Sequence, residues 1–201
     1  MPRPNTPLLR PAVALAAVLA LAGCTATGDA PDATQQPAAS GTPAPAESPQ
    51  STPEPTEEPL PFDAACSDLI TLEDMYAFNP NFGEAPGYAP ESDAVVAVAD
   101  AQGTACGWSN QTSGELIELG VATLPERAYA AQVGRAAVDS NAVPTYGTPP
   151  EVEGFFSQSG GTGQAQVFAD GYWIVLESPA LFEPGDAEQL VSSVRGHLAG
   201  R

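Results

Sequence analysis

Acid–base and nucleophilic chemistry has few residues to draw on in this chain. The only histidine among 201 residues is His197, and the spacing around it predicts the last turn of a C-terminal helix, where the helix dipole favours a cation and a plain surface position is expected. A Ser-His-Asp hydrolase needs its base beside a nucleophile, and no such arrangement is legible. Ser159-Gly160-Gly161-Thr162-Gly163 has the glycines of a phosphate loop. It lacks the lysine, however, and feeds a strand instead of a helix N-terminus, so a flexible turn is expected. The 25 acids do not follow the EF-hand ligand pattern. Glu118 and Glu177 fall on neighbouring predicted strands and are the pair to inspect for glycoside cleavage, against the plainer expectation of solvated glutamates on the outer face of a sheet. The sequence therefore assigns no catalytic residue, no metal ligand and no cofactor.

The cysteines carry clearer chemistry. Arg3 and Arg10 flank a start without acids, and Pro11 to Leu21 is almost wholly Ala, Val and Leu, the charged and apolar regions of a secretory signal. Eleven helical residues cover about 16 Å, roughly half the hydrocarbon thickness, too little for a permanent span. Leu21-Ala22-Gly23-Cys24 resembles the lipobox of bacterial lipoproteins. That resemblance implies a Cys24 thioether-linked to diacylglycerol and a chain cut just before it. Two acyl chains at about 0.8 kcal/mol per buried CH₂ would hold the protein durably on a bilayer.

With Cys24 acylated, Cys66 and Cys106 remain, and two cysteines allow one intramolecular pairing. Outside the cytoplasmic membrane the bond persists. A closed loop of about 40 residues adds roughly 4 kcal/mol on the chain-entropy model. The alternative, a reactive thiol pair, lacks both Cys-x-x-Cys spacing and a basic neighbour in sequence. One histidine and two paired cysteines cannot make a zinc site. Trp108 follows Cys106 by two residues, so on a strand both share a face and the indole is expected over or near the disulfide.

The elements that must position these residues begin after a tether. Residues 1–23 read as signal peptide, and residues 24–61 as the lipidated cysteine and a disordered linker. Thr25 to Pro61 is dominated by Pro, Ala, Thr, Ser, Gln and Glu, with Leu60 as its only large aliphatic, a composition that cannot offset ordering entropy and that favours extended polyproline II. Its reach is a little over ~100 Å. Residues 62–201 form one globular domain of ordinary size. There is no lysine, and without the signal peptide four arginines face 25 acids, a formal charge of about −21. Nucleic acid and anionic lipid surfaces are thereby excluded as partners of the domain.

Within the domain, Thr71-Leu72-Glu73-Asp74 has a capping-box start, with Leu72, Met75, Tyr76 and Phe78 as the apolar side of a short helix. Residues 79–91 read as loop. Ser92 to Ala101 suits a helix or a buried strand, with helix preferred. Thr104 to Asn110 and Glu115 to Ala122 read as paired strands. Thr123-Leu124-Pro125-Glu126 predicts a helix with a Thr cap, continued by Tyr129, Val133 and Ala136 or Ala137 and lying on a sheet. Asp170-Gly171 between apolar runs predicts a hairpin that pairs Ala169 with Tyr172, Phe168 with Trp173 and Val167 with Ile174. One face then carries Ala165, Val167, Tyr172, Ile174 and Leu176 as core. The other carries Phe168, Trp173 and Val175 among Gln164, Gln166 and Glu177. If no further layer covers it, the Phe168–Trp173 pair is the candidate ligand- or partner-binding surface. Pro184-Gly185-Asp186 starts a last helix with Leu190, Val191, Val194 and Leu198 buried.

The expected fold is α+β, an antiparallel sheet with helices packed mainly on one face and one disulfide. The layout of lipobox, disordered tether, early cysteine with a short helix (Cys66, Leu69 to Tyr76) and a later Cys-x-Trp strand (Cys106-Gly107-Trp108) resembles actinobacterial secreted lipoproteins of unknown function. That resemblance implies an envelope-attached domain and carries over no catalytic residue. The expectation is a lipid-anchored, non-catalytic domain at the outer face of the cytoplasmic membrane, binding an envelope protein, a glycan or a small ligand. The alternatives are an accessory lipoprotein of a transporter or envelope complex, and a glycan-cleaving enzyme.

Overall fold

The computed structural model describes residues 57–201. Cys24, the signal-like segment and most of the predicted linker lie outside the described residues. Chain order is α1 (Cys66–Leu69), α2 (Leu72–Phe78), β1 (Phe82–Glu84), α3 (Asp93–Asp100), β2 (Thr104–Asn110), β3 (Leu116–Thr123), α4 (Glu126–Asp139), β4 (Asn141–Ala142), a 3₁₀ turn (Pro144–Tyr146), β5 (Val152–Ser159), β6 (Thr162–Ala169), β7 (Tyr172–Ser178) and α5 (Pro184–Leu198). The seven strands form one sheet, β1-β2-β3-β7-β6-β5-β4, antiparallel throughout. The fold is α+β. Among the described residues no helix is long and apolar enough to cross a membrane.

Hairpin turns set the register. Asp170 and Gly171 have φ of 52° and 82°, the double left-handed geometry of a two-residue turn whose twist matches the strands. The pairs Ala169–Tyr172, Phe168–Trp173 and Val167–Ile174 follow as the sequence predicts. Gly160 and Gly161, at 62° and 87°, make a second such turn between β5 and β6, so the glycine-rich stretch is a hairpin corner.

The first face of the sheet holds the larger core. Cys106, Trp108, Leu119, Val121, Val167, Ile174 and Leu176 are buried there with Leu190, Val191, Val194 and Leu198 of α5. Each large apolar side chain so buried contributes about 1.5–3 kcal/mol. Cys66 and Cys106 are joined across 40 residues with their Cα atoms 5.7 Å apart, tying α1 to β2. Trp108 and Cys106 share this core, on the face their spacing predicts. The capping box of α2 forms between Thr71 and Asp74. Its apolar side is narrower than the sequence suggests: Met75 is buried, while Leu72 and Tyr76 are each 70% exposed, because α2 meets the core only through the side that faces α5 and β1.

Helices α1, α2 and α5 belong to this first face, whereas α3 and α4 lie on the second. Ser92 caps α3, accepting from the Val95 amide at 3.4 Å. Helix α3 approaches closely because Gly103 and Gly120 leave room for Val98; a Cβ on Gly120 would lie 2.9 Å from that side chain. For α4 the predicted Thr123 cap does not form. β3 runs on through Thr123, its hydroxyl donates to the Leu60 carbonyl at 3.0 Å, and Pro125 occupies the cap position without a side-chain acceptor.

Candidate functional site

The aromatic hairpin face is not a surface. Phe168 and Trp173 are 1% and 3% exposed, and the expectation of an open binding pair is corrected on that ground. The cover is α4 and α3. Tyr129 of α4 meets the Phe168 ring edge-on at 5.6 Å, and Phe155 of β5 meets it at 6.0 Å. Val95 and Val98 of α3 belong to the same cluster. A sheet with an apolar aromatic patch on each strand buries it where a helix can reach.

Polar residues fill the same face at the other end of the strands. In register, Gly107 opposes Glu118, Glu118 opposes Glu177, and Glu177 opposes Gln164, so all four stand in one row on the face that carries Phe168 and Trp173. A directed hydrogen-bond chain connects the two ends. The Trp173 indole N–H donates to Gln166 Oε1 at 3.0 Å, the Gln166 amide donates to Gln164 Oε1 at 2.7 Å, and the Gln164 amide donates to Glu177 Oε2 at 2.7 Å. Every donor in the chain points toward the carboxylate, an arrangement in which each bond polarises the next.

The two glutamates have different work. Glu118 is 6% exposed, so the expectation of a solvated outer-face residue is corrected. Its Oε1 accepts from the Tyr88 hydroxyl at 2.6 Å and the Glu91 amide at 2.7 Å, and its Oε2 accepts from the Ser92 amide at 2.9 Å. These bonds pin the 85–92 segment and the start of α3 onto the sheet. Gly107 completes the fit: a Cβ there would sit 2.3 Å from the Tyr88 ring, so the middle residue of Cys106-Gly107-Trp108 is glycine because an aromatic lies flat on it. Burial, the hydrogen bond to Glu118 and the charges of Glu118, Glu91 and Glu177 push the Tyr88 phenol far above its usual range. Tyr88 is a donor, not a base.

Glu177 is half-buried. Burial pushes its carboxyl above the usual carboxylate range; the Gln164 bond opposes this, the Glu118 charge reinforces it, a hydrogen bond with Ser92 opposes it and the Asp93 charge adds to it. It lines an open cavity of about 410 Å³ at the sheet end, together with Glu91, Ser92, Glu115, Thr162 and Pro179. The two carboxylates stand side by side on adjacent strands, not opposed across a cleft, and Glu118 is held by three donors from the protein. A glycosidase acid or nucleophile needs an oxygen free for the sugar.

One constellation escaped the sequence reading. His197 is not a free surface side chain: its Nε2 lies 2.9 Å from Asp74 Oδ2, and the side chain is 36% exposed. Ser193 Oγ donates to Asp74 Oδ1 at 2.9 Å. Serine, histidine and aspartate thus meet, with Asp74 in the middle. A nucleophilic triad needs histidine between the other two, so that the base takes the serine proton. Here both bond to the acid, which ties α5 to the cap of α2. The signal available was α5 itself, whose Ser193 and His197, four residues apart, share one helix side. Among the described residues no group of three or more His, Cys, Asp or Glu side chains could hold a metal ion.

No protein family, curated protein or solved structure matches the chain. The site has to be read from its own chemistry.

Proposed function

We propose that the protein is a lipid-anchored, extracytoplasmic envelope lipoprotein whose folded domain binds a ligand or partner without catalysing a reaction. The anchor half of this reading is supported by Leu21-Ala22-Gly23-Cys24 following an apolar run of secretory length, and it accords with a disulfide between Cys66 and Cys106, a bond at home in an oxidising compartment. The binding half rests on one observation above the rest. At the sheet end Glu118, Glu177, Glu91 and Glu115 all line a concavity of about 410 Å³ open to solvent, and of these Glu118 already accepts from three donors of the protein. A pocket with convergent polar groups and a perturbed carboxyl is where small ligands and partner side chains dock.

The non-catalytic part is supported by the chemistry available. Asp74 stands between Ser193 and His197, so no base activates the serine, and both members of the carboxylate pair already accept hydrogen bonds from the protein, Glu118 from Tyr88, Glu91 and Ser92 and Glu177 from Gln164.

The test has two arms. Intact-mass measurement on native membrane material should find a chain beginning at an acylated Cys24, and Cys24→Ala should move the protein to the aqueous fraction; an unmodified, uncut N-terminus ends the anchor reading. Affinity capture from membranes with the intact lipoprotein, compared with a Glu115→Arg/Glu177→Arg variant, tests the groove. Partners lost on charge reversal and on raising salt support it. Capture indifferent to both places binding elsewhere.

A further inference from the structure

We propose that residues 57–61 form a releasable strap, held by the Glu57 carboxylate on the N-terminus of α4, that flanks and narrows an open, mainly apolar cavity between α4 and the end of α3.

Helix α4 has 14 residues and begins behind Pro125, which offers its first turn no side-chain acceptor. An N-cap side chain would accept from the second and third amides of the helix. Those are Arg127 and Ala128, and here Glu57 takes them, at 3.4 Å to Oε1 and 3.2 Å to Oε2. A carboxylate from 70 residues earlier in the chain thus performs the task of a local cap, with the helix dipole in its favour.

Next to that contact lies a cavity of about 400 Å³, whose walls include Ala101, Leu124, Pro125, Ala128 and Ala131. Glu57 and Pro59 are themselves part of its wall. The strap is therefore both the latch and one side of the open space it narrows.

Its attachment is light. Residues 57–60 are all exposed. Among the described residues, the strap beyond Glu57 is held by a bridge between Leu60 and Thr123 and by the Thr123 hydroxyl on the Leu60 carbonyl. From Phe62 onward the chain is tied more firmly. The Phe62 amide donates to Gln102 at 2.9 Å, the Ala64 amide to Thr104 Oγ1 at 3.1 Å, and the Phe62 ring meets Tyr172 at 5.5 Å. The change falls at Pro61, which becomes the hinge. Segments with few buried contacts open at low free-energy cost while the rest stays folded. This inference does not depend on acylation of Cys24.

The experiment uses the full chain and reads amide hydrogen exchange together with binding of the apolar dye 8-anilinonaphthalene-1-sulfonate. Glu57→Ala should raise exchange at the Arg127 and Ala128 amides about fivefold, the worth of one cap, and produce a saturable rise in dye fluorescence. Glu58→Ala removes the same charge one residue later and should do neither. Adding Pro125→Ser to Glu57→Ala supplies a local cap: amide protection should return while dye binding stays high, with Pro125→Ser alone as the control for the changed wall. Unchanged exchange in Glu57→Ala overturns the latch. Dye binding that falls back to the wild-type level once the helix is recapped overturns the gating of the cavity.

Discussion

The two faces of the sheet solve the same burial problem with different materials. The first is aliphatic, with Leu119, Ile174 and Leu176 of the sheet set against Leu190 and Val194 of α5; the Cys66–Cys106 bond also ties α1 to β2, and the Asp74 cluster ties α2 to α5. The second is graded along the strands, from Phe168 and Trp173 under α3 and α4 to Gln164, Glu177 and Glu118 at the open end. On the first face α5 covers β6 and β7 while α1 and α2 meet β2 and β1, so apolar residues run along more of the strands. On the second, cover stops part-way, and the sequence turns polar where it stops. The open end of the second face is where a ligand has access.

The sharpest way to break this comparison is to ask whether the second face is core at all. Phe168→Ala should cost about 3–5 kcal/mol and Leu176→Ala on the first face about 2–5 kcal/mol, read from urea denaturation midpoints at constant slope. A Phe168 loss near 1 kcal/mol, beside a full loss at Leu176, would make the aromatic cluster peripheral. Next comes Glu118→Gln, which keeps the shape of the side chain but replaces a charged acceptor by an amide facing donors from Tyr88, Glu91 and Ser92. The expected cost is about 2 kcal/mol. Limited proteolysis should then open the chain between Ala85 and Ser92 first, because Glu118 is what fastens that segment. Cleavage spread evenly over the domain would assign Glu118 a general instead of a local role.

Much of the first face was legible in the sequence. Alternation put Ile117, Leu119, Val121, Val167 and Ile174 inward, and helical spacing did the same for Leu190, Val191, Val194 and Leu198, because one buried face leaves one period in the sequence. The hairpin register was legible from Asp170-Gly171 alone, since only a few residues tolerate two left-handed positions in a row. The second face was misjudged for a physical reason. Phe168, Trp173 and Val175 stand out as apolar, but period two says which residues share a face and nothing about what lies over it. The cover comes from α3 and α4, and its closeness is set by Gly107 and Gly120, whose role depends on Tyr88 and Val98 far away in sequence. The caps show the same limit. Thr71 and Asp74 are local partners and were readable, whereas the cap of α4 comes from Glu57 and was not.

The last pair of predictions sets the acids of the two faces against each other in pH. Asp74 lies on the α5 side. Burial pushes its carboxyl up, but the Thr71 hydroxyl, His197, the Thr71 amide and Ser193 outweigh that and hold it well below the usual carboxylate range. A carboxyl lowered in the folded state binds fewer protons there than in the unfolded chain, so its stabilisation is present above about pH 4 and fades as pH falls. Asp74→Asn should therefore cost about 1–2 kcal/mol at neutral pH, through the lost cap and the lost tie to α5, and the gap to wild type should narrow in acid.

Glu177 has the opposite sign. Its folded-state carboxyl is raised above the ordinary glutamate value of 4.5, so over the interval between the two the folded protein holds the proton that the unfolded chain has already released. Stability then rises as pH falls through the folded value toward 4.5 and declines on the alkaline side, where Glu177 and Glu118 stand charged in adjacent register. Glu177→Gln removes that repulsion and can still accept from the Gln164 amide. At pH 7 it should stabilise the domain by less than about 1 kcal/mol, because the groove is open to water and screens the charges. Its stability profile between pH 4.5 and 7 should also be flatter than that of wild type. Urea melts at several pH values measure both. A Glu177→Gln variant less stable than wild type at pH 7 would mean that the hydrogen bonds around the carboxylate outweigh its burial and the charge of Glu118. The open end of the second face would then be a finished part of the fold instead of a strained one.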